Sequence, residues 1–74
     1  MPHLPSISYV VVIDFLKSLG YITVRQRGSH IRLHNSAGIS ITVPRHKPVS
    51  RGVLRKILRD TKETPEILNN FLKR

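Results

Sequence analysis

The chain has 74 residues, room for one domain over residues 1–74, and a domain this small buries only about 60% of its unfolded surface. It has no cysteine, which excludes disulfides and thiolate metal sites, and thirteen Lys and Arg against four acids give a formal charge of +9. That field suits a polyanionic partner, either nucleic acid or an acidic protein surface, and the longest apolar run, Tyr9 to Ile13, falls well short of the roughly 20 residues a membrane span takes.

Met1 to Ser8 lack the basic region, apolar core and small-residue cleavage site of a secretory signal, so the chain reads as soluble and cytoplasmic. Ser8 is placed to cap a helix running to about Leu19, and Gly20 to end it in left-handed backbone. Val12, Phe15, Leu16 and Leu19 recur at helical spacing. The β-branched run Val10 to Ile13 favours a strand, but Asp14, Lys17 and Ser18 break any alternation.

From Tyr21 the period switches to two. Ile22, Val24 and Gln26 alternate with Thr23, Arg25 and Arg27. After Gly28-Ser29, Ile31 and Leu33 alternate with His30, Arg32 and His34. Ile39, Ile41 and Val43 then alternate with Ser40 and Thr42 until Pro44. This is the pattern of a three-stranded antiparallel meander with one face buried and one wet. A two-residue Gly28-Ser29 turn of type II′ pairs Arg27 with His30, Arg25 with Arg32, and Val24 with Leu33. An odd loop centred on Ala37, with Gly38 as the left-handed residue, pairs Leu33 with Ile41 and Arg32 with Thr42. The predicted wet face carries Arg25, Arg27, His30, Arg32, His34 and Thr42.

Ser50 is predicted to cap a second helix to about Asp60. Its apolar stripe is Val53, Leu54, Ile57 and Leu58, and Arg51, Arg55, Arg59 and Lys62 form a basic stripe behind it. Thr64-Pro65-Glu66 opens a last short helix with Ile67, Leu68, Phe71 and Leu72. The predicted class is α+β, in the order helix, three strands, helix, short helix.

Candidate chemistry gathers on the wet face. Arg25 opposite Arg32 is a like-charge pair that either splays into solvent or holds an anion such as phosphate between its guanidinium forks. His30, the first residue after the turn, is a side chain able to accept and return a proton near neutrality. Beside arginines it suits cleavage of an RNA phosphodiester, in which a 2′-hydroxyl supplies the nucleophile. Ser29 is either a turn residue or a phosphate donor. His30 and His34 stand about 13 Å apart along one strand, too far to share an ion. His46 lies in the loop before the second helix and could approach the sheet. With no cysteine and only four acids, however, further ligands are hard to find, so no metal or other cofactor is expected. Aromatic platforms for single-stranded RNA are few: Tyr9, Phe15, Tyr21 and Phe71. These residues leave three readings open, namely an endoribonuclease, a non-catalytic RNA-binding module and a domain that binds an acidic protein. The Val10-Val11 edge of the first helix is a candidate partner-facing surface.

The segments Phe15-Leu16-Lys17-Ser18-Leu19-Gly20-Tyr21, Val24-Arg25-Gln26-Arg27-Gly28-Ser29-His30, Val43-Pro44-Arg45-His46 and Gly52-Val53-Leu54-Arg55-Lys56-Ile57-Leu58 together resemble the HicA family, from about Ser8 to Asp60. The resemblance implies a double-stranded-RNA-binding-domain-like fold, with helices over one face of a three-stranded sheet. It implies an mRNA interferase that needs no metal, with His30 of the Gly-Ser-His motif as the catalytic residue. Arg25, Arg27, Ser29, Arg32, Arg45 and His46 are then the expected RNA-binding residues. It further implies a HicB-type antitoxin that masks the site, the toxin being a monomer when free and part of a hetero-oligomer when bound. Ile31 and Val53 depart from the family pattern, which more often has a polar residue or second histidine, and threonine, at these places. Met1 to Pro5 lie outside the resemblance.

Overall fold

The structure, a computed structural model, describes residues 4–73, so the first three residues of the N-terminal stretch lie outside it. The chain runs α1 (Tyr9–Ser18), β1 (Ile22–Arg27), β2 (His30–His34), β3 (Ser40–Pro44), α2 (Arg51–Thr61) and α3 (Pro65–Leu72). This is the predicted α+β order, with one antiparallel sheet in the order β1-β2-β3.

Local signals act at most of the boundaries. Gly20 has φ +98°, which a side chain would resist, and it turns the chain out of α1 into β1. The Ser50 hydroxyl accepts the Val53 N–H at 3.2 Å, and the Thr64 hydroxyl accepts that of Ile67 at 3.3 Å. Ser8 stands at the N-cap of α1 but makes no side-chain cap bond. The Tyr9 N–H, at the first position of the helix, donates to the His46 carbonyl at 3.1 Å, which ties the helix start to the loop after β3.

The core follows from the alternation in β2 and β3. Ile31, Leu33, Ile41 and Val43 are buried on one face of the sheet, against Val12 and Leu16 of α1 and Leu54 and Ile57 of α2. Phe15, Leu58 and Leu68 form a second cluster that docks α3, with the Phe15 and Phe71 rings edge to face at 5.5 Å. Leu4 and Ile7 pack against both clusters, so part of the stretch before α1 serves the core.

Strand β1 departs from the expected register. Arg27 pairs with His30, Gln26 with Ile31 and Arg25 with Arg32, as expected. The register then shifts between Thr23 and Arg25, so Leu33 faces Thr23, and the predicted Val24–Leu33 pair does not form. Every residue of β1 is exposed, including Ile22 at 64% and Val24 at 46%. The helices cover β2 and β3 and leave this edge strand bare, so no burial penalty holds Val24 on the inner face. The second hairpin keeps its predicted register, with Leu33 opposite Ile41 and Arg32 opposite Thr42. Asn35 braces that loop, its side-chain oxygen accepting the Ile39 N–H at 2.8 Å.

Candidate functional site

Two local features set the geometry around His30. Gly28 has φ +57° while Ser29 does not enter positive φ, the signature of the II′ turn. The turn therefore brings His30 back directly opposite Arg27. Pleating then puts His30 and Arg32 on the face away from the core, because Ile31 and Leu33 between them are buried. On this outer face Arg25, Arg27, His30, Arg32 and Thr42 line a shallow depression of about 220 Å³. All five are exposed. Among the described residues no carboxylate pairs with any of these three arginines, and the His30 ring makes no side-chain hydrogen bond.

A second cleft, of about 380 Å³, borders the first and shares His30, Arg32 and Thr42 with it. Its far wall comes from α2, through Val53, Lys56, Ile57 and Asp60. Lys56 donates to Asp60 at 2.9 Å, with Arg59 at 3.8 Å from the same carboxyl. These contacts, led by the Lys56 hydrogen bond, hold the Asp60 carboxyl below its ordinary value of 3.8. The one acid at the cleft is thus already committed to cations of its own helix. His30 stands where the two depressions meet.

A third recess lies at the turn end of the sheet. Tyr9, Gly28, Ser29, Arg45 and Lys47 line an open volume of about 460 Å³. The Arg45 guanidinium is 5.6 Å and the Lys47 ammonium 5.9 Å from the centre of the Tyr9 ring. The structure thus divides the expected RNA-contacting residues between two places. Arg25, Arg27 and Arg32 share the depression with His30, whereas Ser29 and Arg45 line the recess by the turn. His46 is exposed, lines none of the three depressions, and joins the region only through its backbone. His34 is half-buried at the far end of β2, opposite Ser40.

The residues alone mark Tyr9 only as one of few aromatic platforms, and they do not mark Lys47 or Lys56 as site residues. Tyr9 and Lys56 are distant in sequence from the Gly-Ser-His motif and reach its surroundings through helix packing alone. Lys47 follows Pro44-Arg45-His46 directly, and that adjacency was the one available signal. Among the described residues, no three His, Asp or Glu side chains cluster as metal ligands, and no helix is long and apolar enough to cross a membrane.

A three-stranded sheet with helices over one face and a bare, arginine-rich face bearing one central histidine defines a small, basic α+β protein built around an anion-attracting surface. The family model for HicA, described as the toxin of bacterial toxin–antitoxin systems, matches residues 11–62, from α1 to the end of α2. The chain belongs to the HicA family: it is a toxin of a toxin–antitoxin system, a class whose counterpart is an antitoxin. A comparison with curated proteins finds no match.

Proposed function

We propose that the protein is an mRNA interferase of the bacterial cytoplasm, an endoribonuclease that cuts mRNA without a metal and uses His30 for proton transfer. The observation that carries this reading is the position of His30 in one depression with Arg25, Arg27 and Arg32. Guanidinium forks bind phosphate, and a positive environment stabilises the charge that builds on a phosphodiester during attack. His30 takes the proton of the 2′-hydroxyl, whose oxygen attacks phosphorus. The bond from phosphorus to the 5′-oxygen then breaks, and that oxygen takes a proton from solvent. The products are a 2′,3′-cyclic phosphate and a 5′-hydroxyl, so the chain needs no nucleophile of its own. Ser29, Arg45 and His46 contact the strand beyond the scissile phosphate.

A HicB-type antitoxin holds the toxin inactive by covering the same face in a hetero-oligomer, the free toxin being a monomer. The +9 charge favours a partner with an acidic surface.

The test is cleavage of single-stranded RNA by purified protein with a chelator present. Wild type is expected to shorten the RNA and leave cyclic phosphate ends, and folded His30→Ala to bind RNA without cutting it. Binding without cleavage by wild type would assign the chain to a non-catalytic RNA-binding role. Cleavage by folded His30→Ala would remove the histidine from the chemistry.

A further inference from the structure

We infer that the recess at the Gly28-Ser29 turn is a nucleotide subsite for single-stranded RNA, in which Tyr9 stacks on an unpaired base while Arg45 and Lys47 hold its phosphate. This rests on the reading that the chain handles RNA, and it specifies the strandedness of the substrate.

The cations come first. Arg45 and Lys47 converge on the same ring, at 5.6 and 5.9 Å from its centre, and both are exposed. Among the described residues neither forms an ion pair with an acid, so two like charges are gathered on the face of one neutral ring with no carboxylate to neutralise them. An anion between them relieves that repulsion, and a phosphodiester matches both the guanidinium fork and the ammonium.

The platform is anchored. Tyr9 begins α1, is half-buried against the core and is tied through its N–H to the His46 carbonyl at 3.1 Å. The other aromatic rings are engaged elsewhere: Phe15 and Tyr21 are buried, and Phe71 packs on Phe15. Tyr9 is the ring that faces an open, cation-lined recess, and base stacking on such a ring requires a base that is unpaired and splayed from its neighbours.

The recess also lies next to His30. The Arg45 N–H donates to the Ser29 carbonyl at 2.7 Å, forming the next rung of the ladder beyond the His30–Pro44 pair. One residue step along each strand therefore separates the recess from His30. Successive side chains alternate between faces, so a strand leaving the arginine face at His30 passes the end of the sheet to reach Tyr9. A flexible single strand can follow that path, and a straight duplex cannot.

The experiment uses the full chain carrying His30→Ala, so that RNA stays intact, with fluorescence anisotropy on a labelled single-stranded oligoribonucleotide and on its duplex at one salt concentration. Adding Tyr9→Ala is expected to weaken single-strand binding roughly tenfold, with duplex affinity changed less than about twofold. Tyr9→Phe is expected to keep both affinities. Because Tyr9 also packs on the core, Lys47→Glu at an exposed position is the companion variant, and it is expected to lower single-strand affinity roughly tenfold or more. Unchanged single-strand affinity in folded Tyr9→Ala and Lys47→Glu proteins would overturn the subsite while leaving RNA binding by the parent in place. So would equal losses on single strand and duplex, or loss of antitoxin binding alone. Absence of any RNA binding by the parent would overturn both the subsite and the function on which it rests.

Discussion

Arg25 and Arg32 stand directly opposite each other across β1 and β2, on the same face as His30, with no carboxylate paired to either among the described residues. A like-charge cross-strand pair of this kind costs a few tenths of a kcal/mol where solvent screens it. The fold tolerates that cost on a surface where it contributes nothing to packing. Arg25→Gln is therefore expected to stabilise the free protein by about 0.2–0.5 kcal/mol while weakening RNA binding and flattening its dependence on salt by roughly one ion. Thermal denaturation and a salt titration of RNA affinity check the two halves separately. Loss of stability on neutralising Arg25 would show that the pair has a structural partner.

The C-terminus of α2 closes in a Schellman arrangement. The Glu63 N–H reaches the Leu58 carbonyl at 2.9 Å, and the Lys62 N–H reaches that of Arg59 at 3.1 Å. Lys62 occupies the left-handed position with φ +59°, where glycine is the usual residue. Lys62→Gly is expected to raise stability by about 0.5–1 kcal/mol, measured by urea unfolding with an unchanged m-value. The same substitution removes a cation from the end of the α2 basic stripe, so an accompanying loss of RNA affinity would locate that stripe on the RNA path.

The two hairpins show which parts of the fold could be read from the residues. In β2 and β3 the alternation of Ile31, Leu33, Ile41 and Val43 is enforced by helices on one side, so a slip of one residue would put that face in water. That register was legible. In β1 the same alternation carries no such penalty, because the helices do not reach it, and the shift at Thr23 and Arg25 leaves Ile22 and Val24 exposed. Val24→Thr is therefore expected to change stability by less than about 0.5 kcal/mol, whereas Val43→Thr, at 0% exposure, is expected to cost about 1–3 kcal/mol by burying an unpartnered hydroxyl. Equal costs at the two positions, compared by chemical denaturation, would mean that β1 is covered after all. The site divides in the same way. The arginines and His30 were legible because turn and strand spacing place them together, while Tyr9 and Lys56 arrive through packing between elements far apart in sequence.

Gly28 ties the fold to the position of His30. Its φ of +57° belongs to a II′ turn, and an added Cβ would meet nothing within 4 Å. The cost of a side chain there is one of backbone conformation alone, about 1 kcal/mol for alanine. A β-branched residue resists positive φ more strongly still. Gly28→Val is therefore expected to relieve its strain by reshaping the turn, which displaces His30 from its place opposite Arg27 and moves the Ser29 edge of the Tyr9 recess. Because β1 is uncovered, the rest of the domain can stay folded while this happens. The expected outcome is a protein with near-native helix content, a small drop in thermal midpoint and a much larger loss of RNA cleavage, whereas Gly28→Ala shows the same split more mildly. Circular dichroism and single-turnover cleavage measured on the same samples decide the matter. A Gly28→Val protein that cuts RNA at the wild-type rate would show that the chemistry does not depend on the turn holding His30 opposite Arg27.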